Sequence, residues 1–285
     1  MVITRPDSPQ GRLGRLKPSP VKLWAQQHGM ACHQPLQVNS GEGLRMVEEL
    51  APDLLVVAEF GSILKRPLLN LPALGAINVH GSLLPQLRGA APVQWALLRG
   101  FSTTGVTTIF MDEGIDTGDI ILQRPVEILA DENHGQLFGR LADIAGEVLA
   151  ETVDLLFAGK APRKPQPREG VSYAPMLHAE HERIVWALPA RDIVNQVRAF
   201  SPSPGAYTTF RDKRVKILTA KPCDGHGQPG AVASAKKRLL VGAAQGLVEV
   251  VELQPAGKKP MKAVDFLNGY RVRVGEQFGN CPGGQ

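Results

Sequence analysis

The chain has 285 residues, a net charge of +5, 43% hydrophobic and 21% charged residues, the balance of an ordinary globular protein with room for two domains, which excludes large-scale disorder. No apolar run is long enough to cross a bilayer, and Met1 opens a polar, Arg-containing segment, so neither a membrane span nor a signal peptide is expected and the protein is read as cytoplasmic. Cys32, Cys223 and Cys281 are far apart and lack CxxC spacing, which excludes a disulfide framework or a zinc site.

The distribution of charge says more than its total. Residues 1–160 hold 13 Lys/Arg against 17 Asp/Glu, whereas residues 161–285 hold 19 against 10. Within the first half, residues 1–22 carry Arg5, Arg12, Arg15, Lys17 and Lys22 against Asp7 alone. A basic arm and a basic C-terminal half flanking an acidic middle suit a protein that holds a polyanion at two places. A merely solvated surface is the alternative.

In chain order, helices are expected at Pro20 to His28, Gly43 to Leu50, Ala91 to Arg99 and Asn133 to Ala158. Strands are expected at Asp53 to Gly61, Gly75 to Gly81, Gly105 to Met111 and Ile120 to Ile128. The first two, short apolar runs bounded by Gly or Pro, read as strands of a buried parallel sheet, and with the later two and the alternating helices the pattern is an open α/β sheet. "GKAPRKPQPREGVSYAP", Gly159 to Pro175, is rich in Pro and charge and reads as a linker. Beyond it, one helix near Ala190 to Ala199 precedes short strands at "AYTTF", "RVKILTA", "GAVASA", "RLLVGAA" and "GLVEVVELQP", which suggest a small antiparallel barrel. The domains are therefore placed at 1–160 and 177–285, with a linker at 161–176.

In an open α/β sheet, ligands sit beyond the carboxyl ends of the strands, and "INVHG" ends a strand on Asn78 and His80. Alternation puts the two side chains on one side of the strand. An amide can hydrogen-bond a developing oxyanion and an imidazole can move a proton near neutral pH, so the pair suits acyl transfer; a hydrogen-bonded strand end is the alternative. "MDEGIDTGDI", Met111 to Ile120, sets four carboxylates around two glycines just after a strand. Asp116 could hold an imidazolium at His80 if the two loops meet, while turn chemistry suits Asp112, Glu113 and Asp119. No nucleophilic Ser or Cys with a base is evident, which favours direct transfer. GxGxxG, a P-loop and metal-ligand spacings are all missing from the sequence, which argues against an NAD enzyme, a P-loop ATPase and a metal site.

Asn78-x-His80 followed by "SLLPQLRGAAPVQ", and then "GVTTIFMDEGIDTGDII", resembles the folate-dependent formyltransferases. The resemblance extends over "GRLGRLKPSPVK" (Gly11 to Lys22), "RAFSPSPGAY" (Arg198 to Tyr207) and "LQPAGKKPM" (Leu253 to Met261), nearly the whole chain. It implies a Rossmann-like formyltransferase domain followed by an OB-like barrel that helps bind tRNA. It also implies an N-terminally incomplete catalytic domain, because the family's first strand, loop and helix have no counterpart after Met1. The family's catalytic Asn, His and Asp fall on Asn78, His80 and Asp116. Folate would lie against Phe60, Gly61, Ile63, Ser82, Leu83, Leu84, Pro85 and Asp112. The motifs are most similar to members that move the formyl group of 10-formyltetrahydrofolate onto the α-amine of methionyl initiator tRNA, for translation initiation. Arg12, Arg15 and Lys17 of the arm, and Lys236, Lys237, Arg238, Lys258 and Lys259 of the barrel, would then contact the tRNA. Folate would be a co-substrate, no metal would be needed, and the enzyme would act as a monomer. A formyltransferase for a small amine such as a nucleotide-sugar, and an inactive RNA-binding remnant, are the alternatives.

Overall fold

The computed structural model describes residues 1–10 and 15–279, with the backbone alone at Gln10 and Arg15; Arg12 and Cys281 lie outside the described residues. The chain begins with β1 (Val2–Ile3), the pair β2 (Ser8–Gln10) and β3 (Arg15–Lys17), α1 (Pro20–Gln27), β4 (Cys32–His33) and α2 (Gly41–Leu50). It continues through β5 (Leu55–Val57), α3 (Arg66–Leu69), β6 (Ala76–His80), α4 (Pro92–Leu98), β7 (Thr103–Phe110), β8 (Ile120–Glu127) and α5 (His134–Phe157). The C-terminal part holds α6 (Ala190–Phe200), β9 (Tyr207–Phe210), β10 (Lys213–Cys223), β11 (Val232–Ala235), β12 (Leu239–Gly242), β13 (Leu247–Pro255), β14 (Met261–Lys262) and α7 (Ala263–Tyr270).

By internal packing the chain forms two compact units, each built from three segments. The first comprises residues 1–80, 107–123 and 148–169; the second comprises 81–106, 124–147 and everything from Gly170 on. Three of the five boundaries fall inside β7, β8 and α5.

In the first unit, α1 starts where Ser19 caps it: its hydroxyl accepts the Lys22 N–H at 3.1 Å, and Pro20 follows in the first turn, where its missing N–H costs nothing. β1 pairs in parallel with β4, and β2 pairs antiparallel with β3; none of these four short strands is signalled by the hydrophobic pattern. A four-stranded sheet runs in the order β5-β6-β7-β8. β5 is parallel to β6, but β6 is antiparallel to β7, with Asn78 opposite Ile109 and His80 opposite Thr107. The parallel reading of the first two strands thus agrees with β5 and β6, while the step to β7 reverses direction. The apolar runs reported that both faces are covered, as β7 is buried from Thr104 to Phe110, and coverage does not reveal direction. The strand expected over Asp53 to Gly61 also stops early, at Val57, because Glu59 and Gly61 turn to φ of 50° and 73°.

The second unit contains a sheet in the order β11-β12-β13-β10-β9, with β14 also on β13 and every pairing antiparallel. Register shifts on either side of Thr219 bend the eleven-residue β10, as bulges do. Gln277 and Phe278 bridge to Ala231, just before β11, and to Phe210 of β9 respectively, so the sheet, its two edges linked by this segment, curls toward a barrel. Its core holds Ile217, Leu239, Val248, Leu253 and Phe278. α7, absent from the sequence reading, supplies Phe266, whose ring lies edge-on to Phe210 at 5.5 Å. Apolar residues at Ala263, Phe266 and Leu267 with Asp265 in the first turn were its signal. Truncating the fully buried Phe266 to Ala should cost about 3–5 kcal/mol.

Candidate active site

β6 sits between β5 and β7, so its chain direction is fixed by two ladders before its last residues emerge. Asn78 and His80, two residues apart, both reach the same carboxylate. Asn78 Nδ2 donates to Asp116 Oδ1 at 3.1 Å, and His80 Nδ1 lies 3.5 Å from Asp116 Oδ2. His80 is 5% and Asp116 14% exposed, so water screens this meeting weakly.

The loop that carries Asp116 is tightly specified. Asp112 Oδ1 accepts from Gly114 N at 3.0 Å and from Thr117 Oγ1 at 2.6 Å, the turn chemistry expected of it. Gly118 passes so close to Phe110 that an added Cβ would lie 1.7 Å from the Phe110 carbonyl oxygen. Asp116 itself stands at φ 53°, a left-handed conformation that Asp tolerates better than most residues. Gln166, which sequence reasoning passed over as linker, donates from Nε2 to the carbonyls of both Asp116 and Gly118, each at 2.8 Å. A glutamine between two prolines carries no sequence signal for such a role.

The residues expected to meet folate divide. Phe60 packs on the cluster of Val38, Val47, Leu64 and Leu68 in the first unit; Gly61 is the turn residue after it, and Ile63 is 60% exposed. Ser82, Leu83, Leu84 and Pro85 open the second unit, where Ser82 donates to the Gln86 carbonyl at 2.6 Å and Ser82 and Leu84 are buried. Asp112 lines a cavity of about 540 Å³ with Arg66, Asn70, Gly75, Phe110 and Arg163. Ala76, the first residue of β6, also lines that cavity, whose lining does not include the trio.

Residues 1–153 match the model of the formyl transferase family, and residues 176–271 match the model of the formyl transferase C-terminal domain. The chain belongs to the formyl transferase family. It is 45% identical to methionyl-tRNA formyltransferase from Geotalea daltonii, over 98% of this chain and 90% of that protein. It is 47% identical to methionyl-tRNA formyltransferase from Symbiobacterium thermophilum, over 97% and 86% respectively. Among solved structures it resembles Aquifex aeolicus HypX in complex with tetrahydrofolic acid, with a TM-score of 0.63 at 18% identity, over 97% of this chain and 48% of HypX. The first part is thus the family's Rossmann-like domain, and the second ends in its small OB-like barrel.

On this formyl transferase the basic residues fall into three groups. Of the arm, Arg12 lies outside the described residues, Arg15 contributes its backbone to β3, and Lys17 is exposed at the end of that strand. On the barrel, Lys236 and Lys237 are exposed in the turn between β11 and β12, and Lys258 and Lys259 in the turn between β13 and β14. Because Leu239 pairs with Val250 and Met261 with Leu253, both turns leave the sheet along the C-terminal half of β13. The exposed Lys262 of β14 joins them and was missed by the sequence analysis. Arg238 differs. Its Nε donates to Glu249 Oε1 at 2.8 Å; the bond and charge of Glu249 hold the guanidinium above its ordinary pKa, and the bond from Arg238 holds the Glu249 carboxyl below its own. Among the described residues no group of three or more His, Cys, Asp or Glu side chains is arranged to hold a metal ion, and no helix is long and apolar enough to cross a membrane.

Proposed function

We propose that the chain transfers the formyl group of 10-formyltetrahydrofolate to the α-amine of methionyl initiator tRNA. The observation that carries this reading is the meeting of Asn78 and His80 on the two oxygens of Asp116, within the part of the chain that matches the formyl transferase family. Relatives at 42–47% identity that bear the name methionyl-tRNA formyltransferase supply the choice of acceptor.

The donor set fits the chemistry of a formyl group. The folate co-substrate supplies an activated formyl carbon. When the amine attacks that carbon, a C–N bond forms and charge develops on the formyl oxygen. Asn78 engages Asp116 through one amide hydrogen, which leaves the second to be aimed at that oxygen. With Nδ1 of His80 turned to the carboxylate, Nε2 is the nitrogen that presents a proton to the same oxygen. Asp116 orients His80 through Nδ1 and takes part in passing the proton lost by the amine to the folate nitrogen as its bond to the formyl carbon breaks, which releases tetrahydrofolate.

We place the catalytic domain at residues 1–160, the linker at 161–176 and the tRNA-binding domain at 177–285. Phe60, Gly61, Ile63, Ser82, Leu83, Leu84, Pro85 and Asp112 surround the folate; the basic arm and barrel hold the tRNA phosphates. The trio comes from one chain, which is consistent with a monomer, and initiator tRNA puts the work in the cytoplasm. Supplying 10-formyltetrahydrofolate with methionyl-tRNA, or with an amino sugar nucleotide, tests the reading. Formyl transfer to methionyl-tRNA is expected; transfer to the sugar nucleotide alone would overturn it.

A further inference from the structure

We infer that Gln166 is a positioning residue for formyl transfer, acting through Asp116, so that a residue of the segment after α5 in the same unit completes the catalytic loop. This rests on the reading of Asp116 given above. A non-glycine residue at φ 53° persists where its surroundings over-determine it, and here one side-chain amide does so. An amide group has two hydrogens, and Gln166 Nε2 directs them at the Asp116 and Gly118 carbonyls, both at 2.8 Å. It therefore grips the loop on both sides of Thr117.

The grip is itself anchored. Lys164 exchanges both backbone hydrogen bonds with Ile120, at 2.8 and 3.0 Å, so the segment runs antiparallel to the end of the loop. The Arg163 guanidinium stacks on the Phe110 ring, 3.5 Å from its centroid, at the loop's other end. Pro165 fixes its own φ, and Pro167 restricts Gln166 to extended backbone, which sets where the side chain starts. Without the amide, the two carbonyls lose this shared donor and the backbone at Asp116 is no longer held in the left-handed basin. Oδ1 then moves relative to Asn78, and Oδ2 relative to His80. The expected loss is in rate and not in substrate affinity, because the displaced group acts on the reacting atoms.

The test compares Gln166→Leu, Gln166→Glu and Asp116→Asn with the unaltered protein. Gln166→Leu keeps the length and loses the donor; its kcat should fall about ten- to hundredfold, with KM for tRNA and folate and the melting temperature unchanged. Gln166→Glu should be impaired at neutral pH and recover relative to the unaltered protein as pH falls, because a neutral carboxyl regains one donor. The Gln166→Leu ratio should stay flat with pH. Unaltered kcat in Gln166→Leu beside an impaired Asp116→Asn overturns this inference alone; a fully active Asp116→Asn overturns the reading of Asp116 and this inference with it. A fall in kcat matched by a global loss of melting temperature, with a flat Gln166→Glu profile, overturns it in favour of a structural role. Amide hydrogen exchange across residues 112–119 gives a readout without turnover: faster exchange in Gln166→Leu supports the inference, and unchanged exchange overturns it.

Discussion

The end of β6 and the β13 edge of the barrel use charge in opposite ways. At β6, two polar side chains converge on one nearly buried carboxylate, and each contact depends on the other two residues. On the barrel, Lys236, Lys237, Lys258 and Lys259 stand exposed on two neighbouring turns, and Lys262 stands exposed on the short β14 that follows the second. The first arrangement can act only at one geometry; the second acts through summed potential and tolerates the loss of a member. On the proposed function, the same charge chemistry would serve turnover in one place and affinity in the other.

The largest expected effect would break that comparison at its catalytic end. Asn78→Ala and His80→Ala should each lower turnover by about 10²–10³, with tRNA binding nearly intact, because each removes a donor whose partner charge exists in the transition state. Steady-state kinetics beside a filter-binding titration reads both; a parallel loss of binding would erase the distinction.

Gly118→Ala comes next, since its Cβ would lie 1.7 Å from the Phe110 carbonyl oxygen. The loop must shift, at a cost of about 1–3 kcal/mol in urea unfolding and a fall in turnover. Unchanged turnover would show that loop geometry matters less than the contacts at Asp116 suggest.

On the barrel, neutralising Lys236, Lys237, Lys258 and Lys259 together should weaken tRNA binding and reduce the log-salt slope by about one unit per lost phosphate contact, with kcat unaffected. Arg238→Ala sharpens the contrast: its charge already faces Glu249, so it should change the salt slope less than Lys237→Ala does. Equal slopes for the fourfold variant and the unaltered protein would make these lysines plain surface charge.

The smallest effect concerns stability alone. Burial pushes the His134 pKa down from the ordinary value of 6.5. A folded-state pKa below the unfolded one gives stability that is present above pH 6.5 and is lost as pH falls through the folded value. His134→Gln should flatten that part of the melting-temperature profile between about pH 5 and 7 while leaving turnover untouched.

Much of this was legible in the sequence because its signals were local. Alternation put Asn78 and His80 on one side of a strand, and "MDEGIDTGD" carries its own turn residues, so the trio was nameable before its contacts were seen. The barrel strands announced themselves by period and by Gly and Pro turns. What stayed hidden depends on distant parts of the chain. The direction of β7 leaves no trace in a run buried on both faces. The two-residue strands β1 and β4 are too short for a period to register. Gln166 lies 50 residues from the carbonyl it holds, in a stretch whose composition says only linker. The sequence likewise set Arg238 beside Lys236 and Lys237 among the expected tRNA contacts, and only the fold shows it engaged by Glu249.

The proposed transfer turns on the carboxylate that joins the trio. Asp116→Asn keeps a residue suited to left-handed backbone and nearly the same shape, but turns an amide toward His80 Nδ1 in place of an anion. Single-turnover formyl transfer to methionyl-tRNA should fall by more than about a hundredfold while the tRNA dissociation constant stays within about twofold. An Asp116→Asn protein that transfers the formyl group at the unaltered rate would contradict the account.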